Sequence, residues 1–200
     1  MNKLVLVFDT ETTGLPKSQN YKNSDDFKNA RLIQFSAILY DFKEYKVVKE
    51  YDIYISRNDF TINNSHIHKI TNEFIDKNGK PISEFFKILK KILKKNPYIM
   101  VAHNISFDLS IIKSELFRYD KLKLLEKFNK INCFCTMKSC INITKIKRKN
   151  GDYKYPKLKE LYKYIFGTEP KNLHNSLYDT RYTLECLKEL YYNDLIKLFV

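Results

Sequence analysis

Leu4-Val5-Leu6-Val7-Phe8 runs without a polar interruption into Asp9-Thr10-Glu11-Thr12-Thr13-Gly14-Leu15. An apolar run of this length, built from β-branched and large residues, reads as a strand buried on both faces, the central strand of an α/β sheet. Side chains alternate along a strand, so Asp9 and Glu11 project from one face with Thr10 opposite. Two carboxylates side by side on a buried strand repel and lose hydration unless a cation neutralises them. Oxygen-only ligands favour a hard ion such as Mg²⁺ or Mn²⁺. A strand that ends in solvent with two acids and a Thr-Thr-Gly turn fits the same spacing equally well.

The 200 residues suit one domain, and 44% hydrophobic residues suffice for a core. The net charge of +13 suits a polyanionic partner, nucleic acid before an acidic membrane surface. A compositional bias toward Lys, Asn, Ile and Tyr explains the same charge without a partner. No apolar segment approaches the ~20 residues of a membrane span. Met1-Asn2-Lys3 and the run after it imitate a signal peptide, but Asp9 and Glu11 arrive too early and no small-residue cleavage site follows. Cys133, Cys135, Cys140 and Cys186 have no zinc-ligand spacing and read as free thiols in a reducing compartment, cytoplasmic or nuclear rather than secreted.

Beyond the first strand, Pro16 to Ala30 reads as a polar loop of a length usually reserved for function. Leu32 to Tyr40 and Lys46 to Ile55 read as antiparallel strands joined by a short turn. A short helix is expected over Ser65 to Ile70, and a second capped by Thr71 and stopped at Asn78-Gly79. A third, starting at Pro81, carries Phe85, Phe86, Leu89, Ile92 and Leu93 on one face and lysines on the other. Tyr98 to Ala102 is a further strand, leading to a helix that runs to about Tyr119 and holds Asp108 in its first turns. In open α/β sheets this carboxyl edge is where sites form. Asn132 to Cys135 reads as a strand, with Thr136 to Thr144, Lys157 to Phe166 and a last stretch from Ser176 as helices.

Asn150-Gly151 signals a tight hairpin within 145–156, amid Lys145, Lys147, Arg148, Lys149, Lys154, Lys157 and Lys159. Tyr153 and Tyr155 interleave with these cations, a pattern suited to phosphates and bases. A solvated hairpin fits it equally. Asp179 lies five residues after His174, and on one regular helix the two would point about 140° apart. They share a site only if His174 lies in the loop before the helix that carries Asp179.

This set resembles the DEDDh 3′→5′ exonuclease family, which includes the proofreading subunit of bacterial replicative polymerases, ribonuclease T and oligoribonuclease. Phe8 to Leu15 looks like its first motif, His103-Asn104-Ile105-Ser106-Phe107-Asp108 like the second, and His174 with Asp179 like the third. Ile67-His68-Lys69-Ile70-Thr71 is similar to a further family segment that often has Gly in place of Lys69. The sister family places a Tyr four residues before the last Asp, where this chain has Asn175, so the histidine type is favoured. The resemblance spans Val5 to about Leu187.

It implies one RNase H-like exonuclease domain over 1–200, a mixed β-sheet of about five strands flanked by helices, with the basic hairpin near 145–156 as an insertion. It also implies that Asp9, Glu11, Asp108 and Asp179 bind two Mg²⁺ or Mn²⁺ ions that activate water and stabilise the leaving 3′ oxygen. His174 would be the general base. Thr10, Thr12, Thr13, Gly14 and Leu15, with His68, Asn104 and Phe107, would contact substrate. Phe107 fits core packing better than substrate contact, and His103 reads as structural. The implied partner is nucleic acid with a free 3′ end, single-stranded by preference, with a polymerase or repair protein alongside in proofreading or DNA repair. A non-catalytic nucleic-acid-binding domain and an RNase H-like endonuclease remain open at this stage.

Overall fold

The computed structural model describes residues 3–199; residues 1, 2 and 200, at the ends of the span read as one domain and at the start of the apparent signal segment, lie outside the described residues. β1 (Leu4–Thr12), β2 (Leu32–Asp41) and β3 (Lys46–Tyr54) pair antiparallel in sequence, while β4 (Ile99–Ala102) lies parallel to β1 and β5 (Asn132–Cys135) parallel to β4. The order β3-β2-β1-β4-β5 puts the unbroken apolar run at the centre of a mixed sheet.

The helices are α1 (Ser65–His68), α2 (Asn72–Asn78), α3 (Ile82–Lys94), α4 (Ile105–Arg118), α5 (Leu122–Asn129), α6 (Thr136–Ser139), α7 (Ile141–Thr144), α8 (Leu158–Phe166) and α9 (Ser176–Tyr192). They form two layers because β1 is apolar on both faces. Leu4, Leu6 and Phe8 pack into one core with Phe85 and Leu89 of α3, Ile112 and Leu116 of α4, and Leu125 and Phe128 of α5. Val5 and Val7 pack on the other side with Leu161 of α8 and Leu184, Leu187 and Leu190 of α9. Each such side chain contributes about 1.5–3 kcal/mol by leaving water.

Most expected elements appear with small boundary shifts. Thr71 caps α2 by accepting the Phe74 N–H at 3.1 Å, and α8 ends on Gly167 at φ +73°. Two differences stand out. The single helix expected over 136–144 is α6 and α7, interrupted at Cys140. Helix α5 has no counterpart among the expected elements; Leu122, Leu125 and Phe128 carry its period, but it has no side-chain cap and no acid in its first turn.

A buried ion pair fixes α4 to the sheet. Arg31, just before β2, donates from Nε to Glu115 Oε1 at 2.9 Å, and the same oxygen accepts the Leu32 N–H at 3.2 Å. The two side chains are 4% and 1% exposed. Removing one partner of such a pair costs about 3–5 kcal/mol, because the other charge is left stranded. Asp108 lies two helical turns before Glu115 on the same side of α4, so this lock also sets its height.

Candidate active site

β1 carries Asp9 and Glu11 to its carboxyl end on the face of Val5 and Val7, the face that α9 covers. The first turn of α9 brings Asp179 to them. One carboxylate oxygen from each of the three lies within 4.8 Å of the others. Polar bonds seat α9 there. The Asn175 side chain accepts the Leu177 N–H at 3.1 Å, the Ser176 hydroxyl donates to the Asp9 carbonyl at 2.6 Å, and the Ser176 N–H donates to Gln34 Oε1 at 3.2 Å. Gln34 in turn donates to Asp52 Oδ1 at 2.9 Å, which also accepts the Ser36 hydroxyl at 2.7 Å.

Asp108 arrives from the other layer. Thr10 faces α4 and holds Asp108 Oδ1 with two donors, its N–H at 3.0 Å and its hydroxyl at 2.7 Å. The fourth acid therefore reaches the carboxyl edge beside the other three through the residue between Asp9 and Glu11. Asp108 falls outside the three-residue cluster, yet its charge is felt by both Asp9 and Glu11.

The electrostatics follow from this crowding. Burial, then the charges of Asp108, Asp179 and Glu11, push Asp9 well above the usual carboxylate range, against the opposing hydrogen bond from Ser176. Burial with Asp179 and Asp108 pushes Glu11 up to about 8. Burial raises Asp108 to about 7 against the Thr10 hydrogen bonds, and Asp179 to about 7 against the His174 N–H. Asp179 Oδ1 is buried without a hydrogen-bond partner. Anions this costly, with an orphaned oxygen among them, form a donor set that fits a hard divalent cation.

Comparison with known proteins agrees with this chemistry. Residues 6–187 match the RNase T exonuclease family. The chain belongs to that family of exonucleases. The exonuclease is 31% identical over 182 residues to the DNA polymerase III subunit epsilon of Buchnera aphidicola subsp. Acyrthosiphon pisum (strain APS), covering 89% of this chain and 68% of that protein. It superposes on E. coli Exonuclease I in complex with a dA16 oligonucleotide with a TM-score of 0.70 at 17% identity, over 95% of this chain and 41% of that one. The zinc-bound Exonuclease I–single-stranded DNA complex gives a TM-score of 0.69 at 17% identity, over 98% of this chain and 42% of that one. The chain thus spans about two fifths of Exonuclease I, and the likeness shows a shared RNase H-like fold. The exonuclease is of the DEDDh 3′→5′ type, in a family that depends on divalent metal.

The structure sorts the remaining residues read from the sequence. His174 lies before α9 as required, exposed at φ +65°, with its N–H donating to Asp179 Oδ2 at 3.1 Å. Leu15 is 79% exposed, and Phe107 packs against the core. Asn104 stands at the start of α4 in the left-handed region at φ +73°, with no side-chain cap bond.

The other residues expected at the substrate also make bonds within the chain. The Thr10 hydroxyl donates to Asp108 Oδ1. Thr12 donates to the Gly14 carbonyl at 2.7 Å and Thr13 to the Asn29 carbonyl at 3.0 Å, so both hydroxyls brace their own loop. A Cβ on Gly14 would lie 2.7 Å from the Asn29 carbonyl oxygen, so the close approach that Gly14 permits is to the chain itself. His68 is 4% exposed and accepts the Ile70 N–H at 3.1 Å; burial pushes its imidazole down to about 4. Lys69, where the family often has Gly, takes the left-handed C-cap of α1 at φ +63°.

The sequence reading missed Gln34, Ser36 and Ser176. A signal existed: Gln34 and Ser36 are polar at alternate positions of an otherwise apolar strand, and they pair opposite Glu11 and Asp9.

Proposed function

We propose that Asp9, Glu11 and Asp179, with Asp108 beside them, hold two Mg²⁺ or Mn²⁺ ions, and that His174 removes the proton from the attacking water. The substrate is a single-stranded nucleic acid with a free 3′ end, DNA first, and the product is a nucleoside 5′-monophosphate. The observation that carries this reading is the gathering of three carboxylates from β1 and α9 within 4.8 Å, with a buried unpartnered oxygen on Asp179. Hard cations there would supply positive charge for the attacking and leaving oxygens of an in-line displacement at phosphorus.

The chain's own groups do the rest. Thr10 fixes Asp108 in its acceptor orientation. The bond from the His174 N–H to Asp179 Oδ2 holds the loop before α9 beside the acids, and the exposed imidazole would carry the proton outward. Exposed Leu15, next to Gly14, wedges against the terminal base, and the Thr12 and Thr13 backbone lies along the same edge. The relative that is a polymerase III subunit supports a polymerase as protein partner, and the Exonuclease I complexes support single-stranded DNA as substrate.

The test uses 5′-labelled single-stranded DNA and RNA oligonucleotides with Mg²⁺ or with chelator. Wild type should give a ladder shortening from the 3′ end with Mg²⁺ only, and should leave a circular strand intact. Asp9→Ala should release no nucleotide while keeping its circular dichroism spectrum. Turnover retained by Asp9→Ala, or cutting of the circle, would overturn the assignment.

A further inference from the structure

The basic stretch after α7 folds as a defined hairpin with its own hydrogen bonds. Arg148 N–H donates to the Asp152 carbonyl at 2.7 Å, Lys154 N–H to the Ile146 carbonyl at 2.8 Å, and Lys147 bridges Tyr153 antiparallel. Gly151 supplies the positive φ of +92° at the tip. The hairpin's position is set at its foot. Buried Pro156 offers its carbonyl to His103 Nε2 at 3.0 Å, and the other ring nitrogen of His103 meets the Thr136 hydroxyl at 3.0 Å.

His103 directly follows β4, and β4 pairs parallel with β1 so that Val101 lies opposite Val7. Extending that register by two residues sets His103 level with Asp9. The foot of the hairpin therefore stands at the same end of the sheet as the acids, joined to the segment that begins α4.

Not all its cations are available. Lys154 forms a salt bridge with Glu160 of α8. Lys145, Lys147, Arg148 and Lys149 are exposed, and among the described residues none has a carboxylate within 4 Å. Tyr153 and Tyr155, on the same side of the outgoing strand, are 37% and 46% exposed. Unpaired cations beside exposed rings, at one end of an acid site that repels phosphate when no metal offsets it, form a surface for a flexible polyanion whose bases are unstacked.

We propose that this hairpin holds the strand upstream of the 3′ end, with Lys147, Arg148 and Lys149 on phosphates and Tyr153 and Tyr155 against bases. The proposal deepens the exonuclease reading: the acids act on the terminal nucleotide, and the hairpin retains the remainder between cuts.

Equilibrium binding of fluorescent dT4 and dT20 in chelator tests it without catalysis. The variant is Lys147→Gln/Arg148→Gln/Lys149→Gln, with Tyr153→Ser/Tyr155→Ser as an independent second and Lys147→Arg/Lys149→Arg as a charge-keeping control. The preference of wild type for dT20 over dT4 should fall at least about tenfold in the first variant. Its log–log salt slope should flatten by roughly 2, from three phosphate contacts at about 0.7 each. The tyrosine variant should lose dT20 affinity with its slope retained, and the arginine control should keep both. Unchanged length preference and slope in the first variant would overturn the proposal. Nucleotide release is read separately, so its failure would count against the catalytic assignment and not against the hairpin.

Discussion

Thr10 is the residue on which the two halves of the site meet. Its neighbours Asp9 and Glu11 face α9, while its own N–H and hydroxyl reach through the sheet edge to Asp108 on α4. Asp9 and Glu11 drew notice as acids ending an apolar strand, whereas Asp108, Asp179 and His174 were picked out by their place in motifs resembling those of the DEDDh family. Thr10, Ser176 and Gln34 were not assigned their roles, since each depends on which residue a neighbouring element sets opposite it. The burial of His68 was not legible for a similar reason: its spacing gave no warning that its ring would accept the Ile70 N–H inside the fold. The residue with the sharpest expectation is His174. Loss of a positioned proton acceptor lowers rate by roughly 10²–10⁴-fold, so His174→Ala should retain the fold and lose activity by that factor. Single-turnover rates measured with metal in excess would check this, and an unchanged rate would remove the imidazole from the chemistry.

At the scale of elements, the connection from β1 to β2 is more tightly built than its polar composition suggests. Lys17 N–H donates to the Asp26 carbonyl at 3.0 Å, Ser18 bonds the Asp26 carboxylate, and Phe27 is fully buried in the main core. The Thr13 hydroxyl closes the loop by donating to the Asn29 carbonyl and accepting the Arg31 N–H at 2.9 Å. Gly14 lets these strands of chain pass, and the contact that any larger residue would meet is backbone, which cannot swing away. Gly14→Ala should therefore destabilise by about 1–3 kcal/mol. Urea denaturation should show a lower midpoint at unchanged m-value. The central place of β1 and the antiparallel pairing of β2 with β3 could be read from periodicity, whereas the full strand order could not. Helix α5 could not, because an eight-residue helix without a cap leaves little local trace.

Across the whole molecule the acids couple stability to pH and to metal. Asp9, Glu11, Asp108 and Asp179 all have folded values raised above the ordinary ~4 of an unfolded chain. Their stabilisation is complete below that value, and the metal-free protein then loses stability as pH rises through about 7 to 8. His68 and His103, both depressed to about 4, act in the opposite sense, losing stability as pH falls below their unfolded value near 6.5, but they do so with or without metal. The difference between melting temperatures in Mg²⁺ and in chelator should therefore isolate the acids and widen between pH 5.5 and 8.5. A difference constant with pH would mean that the cation does not replace protons on these groups.

The way Asp179 joins the other acids has a consequence for synthesis. Translation delivers Asp9 and Glu11 first, and a growing chain could bury β1 and dock α4 long before residues 174–192 exist. Until that segment leaves the ribosome and seats Ser176 on the Asp9 carbonyl, the acid group lacks Asp179. Assembly of the acid group is thereby deferred until α9 has docked on β1.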